Sequence, residues 1–427
     1  MDKKIIAIAA VAILAVAAVG TALVLMNNGG KKAEGKDFET SEGVLLIYGN
    51  ANEDKNLDAA DVTAIKALMD EGKYSKVADA NMDGTIDQKD IDIVNLMIEG
   101  KSTKAYYLDR TDGATAVNFP IDSFMGIHQF VLLPMTAIGA LKYMKGYTLS
   151  GNGVTGATML QELYDTQTNV NTSYNMVDVE KLSSLPEKPK VMMTYSLSLS
   201  NEAKLEKSGI QIMHLQFGDF KGSASAIRTA GFLLKLKAEA DEYVKFTEDC
   251  VKNISEKILS KITDDQRKTV ICGYMTNCID HSNGSYTPMA EAAGGKGLVN
   301  DDSNTYVEFN RGDEWILSYN EDMFFYMNSW GYTENINLAE NYKKSADYFT
   351  GLKSYKEGKF VVINSIMPPV LTTCYMAEAM YPDLVGAGYG NEMNQQFIEK
   401  FFPTFALTFT ATDYDYMITY DMVKDKL

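Results

Sequence analysis

Residues 223–261 read SASAIRTAGFLLKLKAEADEYVKFTEDCVKNISEKILSK, and the interpretation of the whole chain starts from this stretch. Apolar side chains recur in it with helical spacing, from Ile227 through Tyr243 to Ile254, and no proline interrupts them. An unbroken helix of this length would extend about 55 Å, too long for an ordinary element of one globule. The stretch therefore predicts a stiff backbone helix, residues 223–262, that joins two lobes.

Both sides of this predicted helix alternate short apolar strands with amphipathic helices, which is typical of α/β architecture. Residues 188–197 predict a strand, 201–207 a helix and 210–215 a second strand. A comparable pattern begins again at Lys268. We therefore expect two α/β lobes, residues 101–222 and residues 263–427.

The composition narrows the classes of function. The chain has 427 residues with 40 Lys and Arg against 57 Asp and Glu, a formal charge of −17. This balance argues against nucleic acid or an anionic lipid surface as the main partner, because both require clustered basic side chains. Three His and four Cys leave little material for a zinc site or a dense disulfide framework.

The N-terminus contains an apolar run without charges, residues 5–26, directly after Lys3 and Lys4. A helix of that length spans about 33 Å, enough to cross a bilayer. Residues 1–27 are thus an anchor or a signal, and we favour an uncleaved transmembrane helix because a good cleavage site is missing. The positive-inside rule then places the body outside the cytoplasm, behind a flexible linker at residues 28–43.

An internal repeat follows the linker, with its clearer copy at residues 79–90 (DANMDGTIDQKD). This copy has the oxygen donors of a calcium loop, with Gly84 at the sharp turn; the donors are Asp79, Asn81, Asp83, Thr85 (through its carbonyl), Asp87 and Asp90. The first copy has its donors at Asn50, Asn52, Asp54, Asn56, Asp58 and Asp61. We expect it to bind calcium more weakly, because Asn50 replaces Asp and Lys55 must take a conformation that suits glycine.

A helical pattern follows each loop and none precedes it, so residues 44–100 resemble a type I dockerin, a small all-α domain. The resemblance implies one or two bound Ca²⁺ ions. It also implies a cohesin-bearing partner, recognised through residues 59–60 and 88–89. A purely structural role, as a calcium-stiffened stalk, is the alternative.

Residues 101–427 resemble the periplasmic binding proteins that deliver metal chelates to ABC importers. The resemblance rests on an ordered series of short stretches: 190–195 with 208–212, 223–261, 290–295 (AEAAGG), 313–322 (DEWILSYNED), 353–361 (KSYKEGKFV), 377–384 (AEAMYPDL) and 397–402. It implies two α/β lobes joined by a backbone helix, and a ligand such as an iron-siderophore, haem or cobalamin. The chain departs from the family at residues 126–130 (GIHQF).

A cleft between such lobes is walled by loops at the carboxyl ends of the strands. The candidate ligand-binding residues on the first lobe are Met135, Thr136, Tyr195, Gln216 and Phe217. Those on the second lobe are Tyr274, His281, Tyr286, Trp330 and Asn364. By resemblance, Glu180 and Glu314 are the acidic residues, one on each lobe, that dock to the permease.

The leading hypothesis is therefore a membrane-anchored receptor that binds a solute and does not transform it. We find no motif for nucleophilic, phosphoryl-transfer or zinc chemistry, so an enzyme that processes the chelate has no support in the sequence. A surface scaffold or adhesion protein docked through residues 44–100 is the alternative. Cys272 and Cys278 are candidates for a small disulfide in an oxidising exterior, with Cys250 and Cys374 as buried thiols.

Overall fold

The computed structural model describes residue 38 and residues 43–111, 113–149, 158–173, 175–195, 198–300, 307–308, 313–329 and 336–427. Contacts divide the chain into two compact units. The described residues of the small unit are 38, 45–108 and 114–118, and the rest belong to the large unit. The predicted anchor and most of the predicted linker lie outside the described residues. None of the described helices is both long and apolar enough to cross a membrane.

The small unit contains the two repeated loops, each followed by a helix: α1, Ala59–Glu71, and α2, Gln88–Ile98. Each helix begins with a capping box in which an Asp caps the first turn. Asp58 accepts from the amide of Ala60, and Asp87 accepts from that of Lys89. This reciprocal bonding explains why both helices start directly after the loops.

A hairpin follows, with strands β1, Thr103–Asp109, and β2, Gly113–Phe119; residues 103–108 and 114–118 of it belong to the small unit. The segment before the first loop pairs with β1, because the amide of Tyr48 donates to Tyr106 O and that of Leu108 donates to Leu46 O. Tyr107 is fully buried there. Contacts thus group residues 101–108 with the repeated loops, whereas the prediction placed them in the first lobe.

The first sheet of the large unit is parallel, in the order β4-β3-β7-β8. Its strands are β3, Phe124–Ile127, β4, Met144–Thr148, β7, Val191–Thr194, and β8, Gln211–His214. A two-stranded ribbon of β5, Asn171–Ser173, and β6, Met176–Val177, lies between β4 and β7 in the sequence. The helices are α3, Gln129–Ala137, α4, Gln161–Thr166, α5, Val179–Ser183, and α6, Glu202–Lys207. The predicted strand–helix–strand order over residues 188–215 is confirmed.

The predicted single helix over residues 223–262 is wrong. The stretch forms α7, Ser223–Leu233, and α8, Lys237–Ile254, and α8 continues as a π-helix over Ser255–Leu259. Between α7 and α8, Lys235 lies in the left-handed region with φ 58°, which ends α7. A Cβ at Gly231 would lie 2.3 Å from Ala240 Cβ, so only glycine allows the two helices to approach this closely.

The second sheet is mixed, in the order β12-β10-β9-β13-β14-β15, with β11 beside β9. Strands β9, β13 and β14 are parallel, and β15 is antiparallel to β14. The bounds are β9, Thr269–Tyr274, β10, Cys278–Ile279, β11, Lys296–Gly297, β12, Val307–Glu308, β13, Met323–Asn328, β14, Phe360–Asn364, and β15, Met417–Thr419. A core of stacked rings supports the sheet, with Phe324, Phe349 and Phe360 fully or almost fully buried.

Nine helices surround the second sheet or follow it in the described part of the chain. They are α9, Thr287–Ala292, α10, Glu314–Leu317, α11, Leu338–Ala346, α12, Lys353–Lys356, α13, Pro369–Met380, α14, Pro382–Val385, α15, Tyr389–Phe401, α16, Pro403–Ala406, and α17, Tyr420–Val423. Helix α8 packs on α13 and α15; Tyr243, for example, lies 5.1 Å from the ring of Phe401. The chain thus passes from the first sheet to the second through a bent helical connection.

The four cysteines are all buried and free. Cys272 and Cys278, the predicted disulfide candidates, lie on the antiparallel strands β9 and β10. Cys278 faces Tyr274 across that pair, and the amide of Asp280 bonds to the carbonyl of Cys272. Because this register pairs neither cysteine with the other, the small disulfide is not formed.

Candidate functional site

Three aromatic rings meet at the carboxyl edge of the first sheet. His128 follows β3, Tyr195 follows β7, and Phe130 begins α3. The ring of His128 lies 4.2 Å from that of Tyr195 and 4.8 Å from that of Phe130, and Phe130 lies 5.5 Å from Tyr195. All three are only half-buried. We call these residues the aromatic cluster.

The backbone of His128 is held in an uncommon conformation, with φ 72°. Its Nδ1 accepts from the amide of Phe130 at 3.4 Å, so His128 caps α3. Burial lowers its pKa to about 4, which keeps the imidazole neutral at physiological pH. With Nδ1 accepting, the proton is assigned to Nε2, so the ring can donate one hydrogen bond to a ligand.

The loop after β8 runs against this cluster. A Cβ at Gly218 would lie 2.6 Å from the ring of Phe130, and one at Gly222 would lie 2.2 Å from Oε1 of Gln216. The two glycines therefore allow the loop backbone to pass close to the ring and to Gln216. Asp219, in the same loop, has its pKa raised by burial, with Arg110 opposing the shift and Asp280 of the second lobe adding to it.

The other residues predicted on the first lobe lie in two environments. Gln216 is half-buried in the loop after β8, whereas Met135 and Phe217 are almost entirely buried in the core. Thr136 lies on α3, and its hydroxyl is buried with no hydrogen-bond partner among the described residues. The burial of Met135 and Phe217 argues against ligand contact by either side chain.

His128 and Phe130 were not among the predicted site residues. Their signal is present in the sequence, because both follow directly after the short apolar strand at residues 124–127. The resemblance obscured them, since this segment departs from the family pattern.

On the second sheet, the edge at β9 has an aromatic pair. Tyr274 ends β9, and its ring lies 5.7 Å from that of Tyr286, which precedes α9. Met275 follows with φ 54° and more than half of its surface exposed. The hydroxyl of Tyr326 donates to Met275 O, which holds this turn. The structure thus brings together two predicted residues, Tyr274 and Tyr286.

The predicted residue His281 is buried, and its Nδ1 accepts from the amide of Asn283. Its neighbour Asp280 accepts from the amides of Tyr286 and Thr287 at the start of α9. Burial raises the pKa of Asp280, although these amides oppose the shift. The turn is therefore a rigid, hydrogen-bonded support beneath Tyr286.

Polar groups gather where β13 and β14 end. Asn364 is fully buried, and its Oδ1 accepts from the amide of Ile366 at 3.4 Å. The hydroxyls of Ser329 and Ser365 lie 2.8 Å apart at an exposed position. Trp330, another predicted residue, lies outside the described residues. The ends of β13 and β14 therefore present hydroxyl and amide groups, whereas the end of β9 presents the aromatic rings of Tyr274 and Tyr286.

In the small unit, the second loop has the hydrogen bonds of a preformed ion-binding loop. Asp79 accepts from the amides of Asp83 and Gly84, and Asp90 accepts from those of Asn81 and Asp87. Asp79 and Asp90 are fully buried. The hydroxyl of Thr85 is the main cause that lowers the pKa of Asp83 to about 2, so this carboxylate is ionised throughout the physiological range.

The first loop, residues 50–61, differs in its hydrogen bonds from the second loop at Asn50, where its sequence also differs. Asn50 donates hydrogen bonds through Nδ2 to Leu45 O and to Asp54 O. Its side chain therefore has one oxygen, Oδ1, that can bind an ion, where an aspartate has two. Lys55 does not adopt the glycine-like conformation that was expected. In both loops the left-handed non-glycine residue is at the fourth position, Glu53 and Met82, with φ 55° and 56°.

No three His, Cys, Asp or Glu side chains converge to hold a metal ion within the described ranges. The ligand set expected for the loops differs from such a group, because it also uses asparagine oxygens and the carbonyl of Thr85. The buried carboxylates of Asp79 and Asp90 fit a cation, since a charge removed from water requires a partner.

The two residues predicted to dock to a permease are both exposed. Glu180 lies in the first turn of α5, and Glu314 begins α10. Each is accessible to a partner.

Comparison with known proteins agrees with this architecture. The family model described as periplasmic binding protein matches residues 136–366, more than half of the chain. No curated protein matches the chain.

Several solved structures share the fold. The molybdate-binding periplasmic protein MolA of Haemophilus influenzae is 16% identical, with a TM-score of 0.55, over 70% of this chain and 98% of that one. A periplasmic solute binding protein from Veillonella parvula is 16% identical, with a TM-score of 0.52, over 76% of this chain and 99% of that one. An ABC transporter solute binding protein from Sulfurospirillum deleyianum is 14% identical, with a TM-score of 0.53, over 70% and 95%. At these identities the likeness establishes the fold alone.

Proposed function

The chain belongs to the periplasmic binding protein family, and from that premise we propose that it is the extracytoplasmic solute-binding component of an ABC importer. Its ligand in this proposal is a metal chelate: an iron-siderophore, haem or cobalamin. The protein binds this ligand and delivers it to the permease without transforming it.

The aromatic cluster is the observation that carries the proposal. Parallel strands present their carboxyl ends at one edge, where open α/β sheets bind ligands. At that edge, three half-buried rings stand within 5.5 Å of one another. A flat macrocycle or a catecholate can stack on such rings, and Nε2 of His128 can donate to an oxygen of the same ligand. Tyr274 and Tyr286 extend the aromatic character to the edge of the second sheet.

The first experiment measures binding to the full chain. Haem, cyanocobalamin and a ferric siderophore are each titrated against the purified protein by calorimetry. We expect one of the three to bind with a dissociation constant in the micromolar range or below. An absorption spectrum of protein purified from its host adds a direct test, because these chelates are coloured. Absence of binding to all three, with a colourless purified protein, contradicts the proposed ligand class.

Variants of the cluster then locate the site. Phe130→Ala and Tyr195→Ala each remove a stacking surface and should weaken binding by about tenfold, since one stacked ring contributes roughly 1–2 kcal/mol. Tyr143→Ala is the matched control, because Tyr143 is also half-buried in the first lobe but precedes β4, at the opposite end of the strands. An equal loss of binding affinity in all three variants would show that the aromatic cluster does not contact the ligand.

We propose further that the second loop binds a Ca²⁺ ion. In support, the ammonium of Lys89 lies 3.2 Å from Asp83 Oδ2 and 3.0 Å from Asp87 Oδ2, so a positive charge already occupies the space beside these carboxylates. Calcium would be held by the oxygens of residues 79–90 and would offset their charge. The first loop offers fewer free oxygens because of Asn50, so we expect it to bind more weakly.

The alternative function is a surface scaffold that docks through the small unit to a cohesin-bearing protein. Its test is retention on an immobilised cohesin in calcium and release by EDTA. Lys89, one of the expected recognition residues, is engaged by Asp83 and Asp87 within its own loop. The Lys89 side chain nevertheless stays largely exposed, so a structural role of the unit is the other outcome of this test.

The remaining parts of the proposal concern location and partner. The apolar run at residues 5–26 would anchor the chain in the membrane, with the body outside the cytoplasm. Glu180 and Glu314 would meet basic residues of the permease.

A further inference from the structure

Two of the four buried thiols lie together at the interface between α8 and α13. Cys250 belongs to α8 and Cys374 to α13, and their exposed fractions are 4% and 0%. The thiol of Cys374 is in hydrogen-bond contact with that of Cys250. The sulfur of Cys250 also lies 4.0 Å from that of Met393 on α15. The pair is therefore enclosed by three packed helices.

The surroundings of this pair are well defined. Tyr389 contacts Cys374, and its hydroxyl lies 3.3 Å from Asn253 Oδ1 on α8. The ammonium of Lys257 stands 4.7 Å from the centre of the Tyr389 ring. Contact with Cys250 and then burial raise the pKa of Cys374, so this thiol is protonated and unreactive once the chain has folded.

The other two cysteines do not have this arrangement. Cys272 and Cys278 are out of register on β9 and β10, and Cys272 bonds instead to Thr287. Among the four cysteines, Cys250 and Cys374 are thus the pair whose thiols are in contact, and they belong to elements distant in sequence. A bond there would enclose residues 251–373, which include the parallel strands of the second sheet.

We propose that Cys250 and Cys374 form a disulfide in the exported protein, which fastens α8 to α13. The location outside the cytoplasm, where disulfides persist, rests on the proposed function. Each thiol loses one proton and one electron as the S–S bond forms. The acceptor is the disulfide of an extracytoplasmic thiol oxidase, which is reduced to its dithiol. Because the folded pair is enclosed, the bond forms during folding.

Thiol counting on the full chain tests this inference. The protein is exported by a secretion host, denatured and alkylated, with or without prior reduction, and then digested for mass spectrometry. We expect two alkylated cysteines without reduction, Cys272 and Cys278, and four after it. A peptide pair joined through residues 250 and 374 should appear in the unreduced digest. Four alkylated cysteines without reduction, or a bond between residues 272 and 278, would overturn the inference.

Thermal unfolding gives a second readout. Reduction should lower the midpoint of the wild-type protein by about 5 °C or more, because the bond closes a long loop. The same treatment should leave the Cys250→Ser/Cys374→Ser variant unchanged, and a Cys272→Ser/Cys278→Ser control should behave like the wild type. An equal midpoint before and after reduction in the wild type contradicts the bond.

Ligand titration of the same samples separates this inference from the proposed function. A protein that binds a chelate but has four free thiols disproves the disulfide alone. A protein with the disulfide that binds none of the chelates disproves the proposed ligand class alone.

Discussion

His128 has a strained backbone, and its imidazole both caps α3 and packs against the rings of Phe130 and Tyr195. Although part of its surface is exposed, desolvation of the imidazole favours its neutral form and lowers its pKa to about 4. The residue is thus suited to donate a hydrogen bond over the whole physiological range of pH.

A pH dependence of stability follows from this pKa. The folded value of about 4 lies below the unfolded value of about 6.5, so the unfolded state binds more protons between them. The contribution of His128 is complete above pH 6.5 and declines as the pH falls toward 4, by about 3 kcal/mol at most. Urea unfolding of the full chain at intervals from pH 7 to pH 4 measures it.

The control for this prediction is His128→Asn, since asparagine tolerates a positive φ and can cap α3. The variant should lose less stability than the wild type over this pH range, because other groups titrate equally in both. If the free energy of unfolding falls equally with pH in the two proteins, His128 is solvated in the folded state and its pKa is not lowered.

At the scale of elements, the two repeated loops should behave differently. Asp79→Ala removes a buried carboxylate from the second loop and should weaken calcium binding by about tenfold or more. Asn50→Ala should have a much smaller effect on calcium affinity, because that side chain already donates to Leu45 O and Asp54 O. Competition with a chromophoric chelator measures both affinities.

Asp92→Ala serves as the control for loss of charge, because Asp92 is exposed on α2 outside the loop. It should leave calcium affinity close to that of the wild type. Comparable losses for Asp79→Ala and Asn50→Ala would mean that both loops hold an ion with similar strength.

The elements also show what periodicity can and cannot predict. Strands β7 and β8 and helix α6 were predictable, because their apolar patterns are short and bounded by polar residues. The break between α7 and α8 was not, since Leu233 and Leu236 keep the helical spacing across it. The break depends on the conformation of Lys235 and on the missing side chain of Gly231, which are tertiary effects.

The candidate site, like the helices and strands, has features that the sequence predicts and features that depend on tertiary packing. The positions of Tyr195 and Tyr274 at the carboxyl ends of β7 and β9 could be predicted, because each stands at the end of an apolar run. Met135 and Phe217 are buried in the core, because a residue near a strand end can face the core as readily as the edge, and one residue of register decides which. For His128 the sequence shows its place after the apolar strand at residues 124–127, whereas its left-handed backbone and its contact with the ring of Tyr195 are visible only in the structure.

At the scale of the whole molecule, transport requires docking as well as binding. If Glu180 and Glu314 dock to the permease as proposed, Glu180→Lys combined with Glu314→Lys should abolish ligand uptake by cells, because cations would then face the basic residues of the partner. Ligand affinity of the purified variant should stay within about twofold of the wild type. Uptake of labelled ligand and calorimetry provide the two measurements.

A variant with Glu206→Lys and Glu357→Lys is the matched control, since both residues are exposed and the change in net charge is the same. It should support normal uptake. If it also stops uptake, overall charge and not docking is responsible; if affinity falls in the Glu180 and Glu314 variant, these residues serve the ligand instead.

The bend between α7 and α8 has a consequence for how the large unit would move. A straight rod would resist bending along its whole length, whereas here a change in the angle between α7 and α8 would be taken up at residues 234–236, beside the strained Lys235. Gly231 packs directly against Ala240, so it would be the contact about which α7 and α8 turn relative to each other. Sequence changes among these few residues would therefore alter the angle between α7 and α8 while leaving the rings of the aromatic cluster unchanged.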